Sequence, residues 1–454
     1  MNKEERIAII GGGLVGSLLS LYFAKKGFDV DVYERRKDER KSSYGGGRSI
    51  NLALSDRGWK ALEGVGMGDD VRKMAIPMQQ RIMHDVEGNI THQAYGKNGQ
   101  AIFSVPRGGL NLILLERADE HPNVSLFFEE RCKDIDLNTN TITFERGPNK
   151  EIHHEKYDRI FGTDGAFSSV RMRLMKNDRF NYQQTYLSHG YKELEIPAGK
   201  DGDFQMDPNG LHIWPRGEYM MIALPNPDKS FTCTLFFPFE GAPSFSSLNS
   251  DEQISAFFHE QFADALPLMP NWMEDYKNNP TSSLVTVSTY PWHFEDKVCL
   301  LGDASHAIVP FYGQGMNSGF EDCTVFNDLF EAMDGDWAEV FEAFTKKRQP
   351  EAEGIKELAL RNYIEMRDKT ADPMFLLQKK IEGKFSSMYP ELWTPLYSLV
   401  TFSHVPYNEA LQRGDFQDAI MKRVMNREDI FEVWDSAEIM ENIKTELEKS
   451  TTMA

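Results

Sequence analysis

The sequence predicts an α/β fold that consists of a parallel α/β domain, an antiparallel-sheet (α+β) domain and a C-terminal helical region. Three observations support this prediction. The first 34 residues have the pattern of a strand, a helix and a second strand. Residues 186–239 are rich in aromatic and β-branched side chains, and after Asn317 the apolar positions follow a helical period. A chain of 454 residues has room for roughly two or three domains.

The parallel part begins with three elements in sequence order. Ile7–Ile10 is a short apolar run of the kind found in buried parallel strands, and Leu14–Lys26 is apolar on a helical period and ends before a glycine. Val30–Glu34 is the next predicted strand. The later elements predicted for this part are a helix at Leu112–Ala118 and strands at Val124–Phe128, Tyr157–Gly162 and Val298–Leu301.

The middle and the end of the chain follow different patterns. Tyr219–Leu224 and Ser230–Pro238 are predicted to be antiparallel strands, because Pro225–Lys229 has the composition of a turn. Proline lacks a backbone N–H, so we expect it to interrupt the C-terminal helices. The prolines in question are Pro350, Pro373, Pro390 and Pro395. The acidic, amphipathic segment Arg427–Ala454 predicts a solvated helix or a frayed terminus.

Composition and charge exclude several classes of function. The net charge of −20 disfavours nucleic acid and anionic membranes as partners. The N-terminus has no signal-peptide pattern, and no run of about 18 uncharged apolar residues predicts a membrane span. The four cysteines are far apart, which argues against a zinc site and a disulfide framework. We therefore expect a soluble cytoplasmic protein that has reduced thiols and no metal.

A glycine motif in the first strand–helix turn indicates a dinucleotide site of the Rossmann type. Gly11, Gly13 and Gly16 satisfy G-x-G-x-x-G, where the glycines allow a tight turn, a close approach of the backbone to a pyrophosphate, and close helix–strand packing. Glu34 follows at the end of the next strand, where an acidic residue accepts a hydrogen bond from a ribose hydroxyl. Arg35 and Arg36 have two interpretations, as contacts to the adenosine or phosphate and as solvated surface residues.

Two later motifs favour FAD over NAD. Gly162–Arg171 resembles the D-G-x-x-S-x-x-R motif of flavoprotein hydroxylases, and Leu301–His306 resembles their G-D motif, in which the aspartate bonds the ribityl chain of FAD. Asp164 and Asp303 each follow a predicted buried strand, at the sheet edge where ligands bind. A helix N-cap is the alternative interpretation of Asp303. Gly313–Asn317 adds glycines and a helix start, which suit the flavin ring.

The sequence holds no second convincing dinucleotide fingerprint. Gly45–Gly47 is followed by Arg48 and lacks the strand–helix setting. A nicotinamide cofactor therefore has no Rossmann domain of its own. This argues against reductases that hold two dinucleotides and fits single-component aromatic hydroxylases.

Within that class the chain resembles the kynurenine 3-monooxygenase family from about Ile7 to about Arg413. The segments that carry the resemblance are Gly47–Ser55, His189–Leu194, Leu211–Pro215, Ser230–Phe236, Pro310–Asn317, Asn362–Met366 and Val400–Ser403. The resemblance implies a para-hydroxybenzoate hydroxylase-like fold, FAD as cofactor, NADPH and O2 as co-substrates, and hydroxylation of L-kynurenine to 3-hydroxykynurenine in tryptophan catabolism. A homodimer is a further expectation.

The resemblance also implies a division into domains. The FAD domain is expected to be discontinuous, at residues 1–75, 100–180 and 285–340. Residues 76–99 and 181–284 would form the substrate domain, and 341–454 the helical cap.

The family's functional residues map onto this sequence one by one. Those matching substrate contacts are Arg81 and Tyr95 for the α-carboxylate, Asn362 and Tyr397 as further polar contacts, Phe311 and Tyr312 beside the ring, and Met220, Ile222, Leu224, Thr234 and Phe236 as an apolar wall. Those assigned to the cofactor are Gly11, Gly13, Val15, Gly16, Tyr33, Glu34, Arg35, Arg36, Arg48, Ala53, Arg107, Cys132, Asp164, Gly302, Asp303, Gly315, Met316 and Asn317. No side chain is assigned as a general base, since the flavin carries the oxygen chemistry.

Alternatives stay open for several residues. Arg81 also fits a surface ion pair, Tyr95 and Tyr397 fit satisfied core tyrosines, and Asn362 and Arg107 fit helix-bridging and surface positions. His84, His92 and His306 are interpreted as surface or packing residues. Some family members have His or Phe in place of Tyr312, which leaves the ring contact open. The rival functions are hydroxylation of another aromatic acid and a flavin-binding protein that serves a partner without turnover.

Overall fold

The computed structural model describes residues 5–41, 51–96, 99–369 and 372–451. The strands of the amino-terminal half are β1 (Arg6–Ile10), β2 (Asp29–Glu34), β3 (Asn51–Leu54), β4 (Ile76–Met78), β5 (Gln80–His84), β6 (Ile90–Ala94), β7 (Ile102–Pro106), β8 (Val124–Phe128), β9 (Glu130–Asp136), β10 (Thr141–Arg146), β11 (Glu151–Lys156) and β12 (Arg159–Gly162). The later strands are β13 (Asn181–Ile196), β14 (Gly210–Pro215), β15 (Met220–Pro225), β16 (Phe231–Pro238), β17 (Ser282–Tyr290), β18 (His293–Phe294) and β19 (Val298–Leu300).

Helices separate and cover these strands. The first nine are α1 (Leu14–Lys26), α2 (Asp56–Gly64), α3 (Gly68–Arg72), α4 (Arg107–Asp119), α5 (Ser169–Leu174), α6 (Asp251–Gln261), α7 (Trp272–Asn278), α8 (Asp303–His306) and α9 (Gly315–Ala332). The remaining ones are α10 (Trp337–Ile364), α11 (Pro373–Met388), α12 (Leu396–Thr401), α13 (Tyr407–Met425), α14 (Ile430–Val433) and α15 (Ala437–Thr451). A π-helical turn at Glu365–Lys369 continues α10.

A six-stranded sheet forms the centre of the first layer, in the order β18-β19-β12-β1-β2-β8. Its strands are parallel except for the pairing of β18 with β19. Ile7, Ala8 and Ile9 in β1 are fully buried because the sheet is covered on both faces. In register, Ile10 lies beside Gly162 and Gly162 beside Leu300, so three strands end along one edge. The α/β part of the predicted fold is confirmed.

A seven-stranded sheet forms the second layer, in the order β17-β13-β16-β15-β14-β5-β6. Alternate residues of β15 face opposite sides, as the period of a strand requires. Met221 and Ala223 pack in the core beneath α6 and α7. Met220 and Ile222 face the other way, toward Phe311 and the C-terminal helices. This face turns toward the site described below.

Pro350 does not interrupt the C-terminal helices, so that prediction was wrong. It lies inside α10, which runs without a break for 28 residues. The side chains of Phe344, Arg348 and Ile355 on either side of it are fully buried. Their packing holds the helix together across the missing hydrogen bond. Pro373 does begin α11, the position where proline is best tolerated.

Up to residue 451, where the described part of the chain ends, the acidic tail is largely helical and partly buried, so the prediction of a solvated helix or a frayed terminus was wrong for these residues. Its helix α15 buries Ile439, Met440 and Ile443 almost completely. They form one apolar cluster with residues of α11 and α13, including Phe385 and Ile420. The acidic residues lie on the outer face, which explains the amphipathic pattern. Among the described residues, no helix combines the length and the apolar character needed to span a bilayer.

Ile443→Ala is therefore expected to destabilise the C-terminal helices. Truncating a buried isoleucine costs about 2–5 kcal/mol. The measurement is chemical unfolding followed by circular dichroism. Glu441→Ala, at an exposed position of the same helix, is the matched control and should be neutral. Equal stability of the two variants would show that α15 does not pack on α11 and α13.

Candidate active site

The carboxyl ends of β1, β12 and β19 meet along one edge of the six-stranded sheet, and the open space beside Gly13 at this edge is the groove of the candidate site. Gly11 has a φ of +107°, and a Cβ there would lie 2.6 Å from the carbonyl oxygen of Thr163. A Cβ on Gly16 would lie 2.0 Å from the carbonyl oxygen of Gly11. Both positions therefore need glycine, one for the turn and one for the contact of α1 with the strand.

Gly13 has a different environment, because a Cβ there would meet no described atom within 4 Å. It is the N-cap of α1, so the first N–H groups of the helix point into this open space. Glu34 borders the space, and its carboxylate accepts from the backbone N–H of Gly12 at 3.1 Å and of Arg36 at 2.9 Å. An open glycine turn at a helix N-terminus fits a pyrophosphate.

The two motif aspartates have different surroundings. Asp303 reaches solvent, and among the described residues its carboxylate has no hydrogen-bond partner. Burial of its other sides raises the pKa of Asp303, and the charges of Arg107 and His306 oppose this. Asp164 instead accepts from the N–H of Ser169 at 2.6 Å and caps α5. Asp303 thus has free acceptor atoms, whereas Asp164 orders the loop around it.

Asn317 fixes the loop before α9. Its side-chain amide donates to the carbonyls of Ala53 at 2.8 Å and Gly313 at 2.7 Å, and its oxygen accepts from the N–H of Ser55 at 2.9 Å. Because these bonds use the whole side chain, Asn317 orders the loop against β3. Gly315 and Met316 begin the helix beside it.

The other described residues assigned to the cofactor are either packing residues or exposed side chains. Tyr33 stacks between Phe127 and Phe144, and its carbonyl accepts from Gly11, so it is a packing residue that supports the turn. The remaining cofactor assignments are placed as follows: Cys132 is buried in the core, Val15 packs under Gly302, Arg35, Arg36 and Arg107 are exposed, and Arg48 lies outside the described residues.

A cavity of about 640 Å³ lies between the edge of the seven-stranded sheet and the C-terminal helices. Five predicted substrate residues line it, from four separate parts of the chain: Arg81, Tyr95, Tyr312, Asn362 and Tyr397. The other six pack behind this lining: Phe311, Met220, Ile222, Leu224, Thr234 and Phe236.

The guanidinium of Arg81 lies over two tyrosine rings, 4.9 Å from the centroid of Tyr397 and 5.4 Å from that of Tyr95. It forms no ion pair with a described carboxylate, which argues against the surface ion pair. Its Nε and the Tyr95 hydroxyl are buried without hydrogen-bond partners in the part of the chain described. Burial keeps the pKa of Tyr95 well above its usual value, so the hydroxyl stays a neutral donor. These unpaired donors suit an anion.

The polar groups around Arg81 are held in place by ring stacking and by one short hydrogen bond from a side-chain amide. Tyr397 stacks on Tyr95 at 5.1 Å and on Tyr312 at 5.5 Å between centroids. Asn362 donates its side-chain N–H to the carbonyl of Phe311 at 2.6 Å. The site is therefore rigid on the side that carries the tyrosines.

Sequence reasoning missed the charged residues of the outer cavity. Arg361 forms ion pairs with Glu357 and Asp415, and Lys379 pairs with Glu382 at 3.1 Å. The remaining charged lining residues are Glu365 and Asp418. Only Glu365 had a local signal, because it lies three residues after Asn362 on a helix.

His84 in β5, the strand that also carries Arg81, and His212 in the neighbouring strand β14 form an unpredicted buried pair. Their Nε2 and Nδ1 atoms are 2.9 Å apart, and His212 Nε2 donates to the Asp207 carbonyl at 2.8 Å. On its other side, His84 contacts Asp264 at 3.1 Å. Burial lowers the pKa of His212 to about 4. Of the described residues, no three His, Cys, Asp or Glu form a metal site.

This pair predicts a loss of stability in mild acid. A histidine in the unfolded chain has a pKa near about 6.5. Because the folded pKa of His212 is about 4, the unfolded state binds more protons between these values. The contribution of His212 is fully present above pH ~6.5 and is lost as the pH falls toward ~4. The free energy of unfolding of His212→Gln should therefore fall less over this range than that of wild type. His154→Gln, at an exposed position of β11, is the control and should match wild type.

The comparisons with known proteins agree with this geometry. The FAD binding domain family matches residues 4–359. Kynurenine 3-monooxygenase of Flavobacterium johnsoniae is 49% identical over 449 residues, which covers 99% of this chain and 100% of that protein. The enzyme of the same name from Christiangramia forsetii is 47% identical, with coverages of 99% and 100%.

A solved structure supports the fold. The tetrameric form of 2-methyl-3-hydroxypyridine-5-carboxylic acid oxygenase superposes with a TM-score of 0.66 at 20% identity, over 82% of this chain and 95% of that chain. At this identity the likeness concerns the fold alone. The family match and the full-length relatives together show that this chain is a flavoprotein that belongs to the FAD binding domain family and, within it, to the kynurenine 3-monooxygenases.

Proposed function

We propose that this protein hydroxylates L-kynurenine at C3 to give 3-hydroxykynurenine, with NADPH and O2 as co-substrates. The observation that carries the proposal is the half-buried guanidinium of Arg81, whose Nε is fully buried without a hydrogen-bond partner among the described residues. It lies among tyrosines, without a carboxylate partner among the described residues, in a cavity that Tyr312 connects to the loop at Gly313–Asn317. An aromatic amino acid supplies the missing carboxylate and an apolar ring.

The residues of the groove fit FAD. We assign the pyrophosphate to the open turn at Gly13, the ribose of the adenosine to the carboxylate of Glu34, and the ribityl chain to Asp303. Arg107 would add positive charge near Asp303. The start of α9 at Gly315 would face the flavin ring with backbone N–H groups. When bound, FAD supplies the redox chemistry, which no side chain of this protein can provide.

The cavity residues would hold and orient the substrate. Arg81 would grip the α-carboxylate with two N–H groups, with Tyr95 and Tyr397 as further donors. The amide of Asn362 is already bonded to the Phe311 carbonyl, so we expect it to place that ring as much as to contact the ligand. Behind them lies the apolar wall of β15 and β16: Met220, Ile222, Leu224, Thr234 and Phe236. This wall would exclude water from the reacting ring.

The test is NADPH oxidation with and without L-kynurenine. We expect the substrate to accelerate NADPH consumption and 3-hydroxykynurenine to appear in a chromatographic assay. Acceleration by benzoates or phenols alone would favour a hydroxylase of another aromatic acid. No turnover with any of these compounds would favour a flavin-binding partner protein.

Three further assignments complete the proposal. We propose the domain division 1–75, 100–180 and 285–340 for FAD, 76–99 and 181–284 for substrate, and 341–454 for the helical cap. A soluble cytoplasmic location is supported by the net charge of −20 and by four buried, unpaired cysteines. A homodimer is also proposed, and size-exclusion chromatography with light scattering tests it.

A further inference from the structure

Asp322 in α9 contacts both flanks of the short helix α8. Its Oδ2 accepts from the backbone N–H of Gly302 at 2.9 Å and from Nε2 of His306 at 2.6 Å. Gly302 directly precedes Asp303, and His306 ends the helix that Asp303 begins. One carboxylate oxygen thus fixes the chain immediately before Asp303 and one turn after it. The Asp322 side chain is fully buried and does not reach the groove itself.

Arg348 in α10 holds this carboxylate. Its Nε donates to Oδ1 of Asp322 at 2.8 Å, and its other nitrogens contact Glu321, Glu351 and the carbonyl of Ser318. Arg348 is fully buried. Burial alone would raise the pKa of Asp322, but the charges of His306 and Arg348 keep it below its usual value. Asp322 is therefore an ionised acceptor in a dry environment, where such bonds are strong.

The same network reaches the wall of the cavity. Glu321 also pairs with Arg57, whose guanidinium lies 3.9 Å from the ring centroid of Tyr407. Arg57 donates to the carbonyl of Val400 at 3.4 Å, in the helix α12 that carries Tyr397. The Tyr407 hydroxyl donates to Gln314 at 3.0 Å, just before α9. A continuous set of buried bonds therefore joins the groove to the cavity.

We infer that Asp322, held by Arg348, is the positioning residue that sets the place of Asp303 for FAD. Asp303 has no hydrogen-bond partner of its own among the described residues, so its position depends on its two flanks. Asp322 restrains both flanks through Gly302 and His306. The inference rests on the proposed role of Asp303 in holding FAD. Its effect on substrate would be indirect, through the network that ends at Val400.

The test compares the FAD dissociation constants of four variants, measured by flavin fluorescence during titration of the apoprotein. Asp303→Asn reports the role of Asp303 itself. Asp322→Asn should weaken FAD binding about 10–100-fold, by analogy with the loss of affinity when a hydrogen-bond partner of a metal ligand is removed. His306→Gln releases one flank and keeps the pair of Asp322 and Arg348. It should therefore also weaken FAD binding, and it provides the test if Asp322→Asn does not fold. The matched control is Glu351→Gln, which removes another buried partner of Arg348 but neither flank contact.

A purely structural role and a positioning role give different results. If Asp322 only stabilises the fold, Asp322→Asn and Glu351→Gln should lower the apoprotein melting temperature and leave FAD affinity unchanged. Positioning predicts that Asp322→Asn and His306→Gln lose FAD affinity and shift the visible flavin band, whereas Glu351→Gln keeps both. Wild-type affinity in folded Asp322→Asn and in His306→Gln overturns the inference. Wild-type affinity in Asp303→Asn instead overturns the proposed role of Asp303.

Discussion

Gly13→Val is expected to yield a folded protein that no longer binds FAD. The added side chain would project into space where the described protein has no atom within 4 Å of a Cβ. It would therefore leave the apoprotein fold intact and displace only the pyrophosphate from the N-terminus of α1. Hydrogen bonds to charged groups contribute about 1.5–3 kcal/mol each. Loss of two of them corresponds to roughly a 100-fold or greater loss of affinity.

The measurement is FAD content after purification, together with titration of the apoprotein by flavin fluorescence. Gly16→Ala is the contrasting variant, because its Cβ would lie 2.0 Å from the backbone oxygen of Gly11. That variant should lose thermal stability as well as FAD. Wild-type FAD content in Gly13→Val would show that the pyrophosphate lies elsewhere, and a collapse of its apoprotein fold would show that the space at Gly13 is needed for packing.

The elements of the groove could be predicted because each depends on local sequence. The turn at Gly11–Gly16 needs its glycines within one strand–helix unit, and Asp303 follows its own strand directly. The assignment of Tyr33 to the cofactor did not follow from a local motif of this kind. Adjacent side chains of a strand face opposite sides, so the side chains of Tyr33 and Glu34 cannot both face the groove. The alternation of side chains in β2 therefore already indicated that the Tyr33 side chain faces the core when Glu34 faces the groove.

The residues that hold the site together could not be predicted in the same way. His84 and His212 are 128 positions apart, and Asp322 meets Arg348 across two different helices. No periodicity or motif in one segment encodes such a pairing, since it depends on how distant elements pack. Pro350 shows the same limit, because the buried side chains of α10 override a local signal for a break. Among the described cavity residues, those of α11 and α13 lacked any motif.

Arg81→Ala is expected to weaken L-kynurenine binding by about 10–100-fold, because a charge-assisted bond in a partly dry site contributes about 1.5–3 kcal/mol. Arg81→Lys should restore little, since an ammonium cannot make the two parallel bonds of a guanidinium. The measurement is the change in flavin absorbance on titration with substrate. Arg361→Ala is the matched control: this arginine lines the same cavity, but its charge is already paired with Glu357 and Asp415.

The choice of ligand separates a carboxylate clamp from a general loss of cavity structure. Decarboxylated kynurenine lacks the group that Arg81 would grip, so wild type should bind it weakly and Arg81→Ala should discriminate far less between the two ligands. Orientation should suffer together with affinity, because the stacked rings of Tyr95 and Tyr397 hold the guanidinium on one side of the cavity. A ring that is misplaced relative to the flavin leaves NADPH oxidation uncoupled, and hydrogen peroxide per NADPH should rise. Tight, well-coupled kynurenine turnover in Arg81→Ala would remove Arg81 from the substrate site and would leave its buried, unpaired Nε without an explanation.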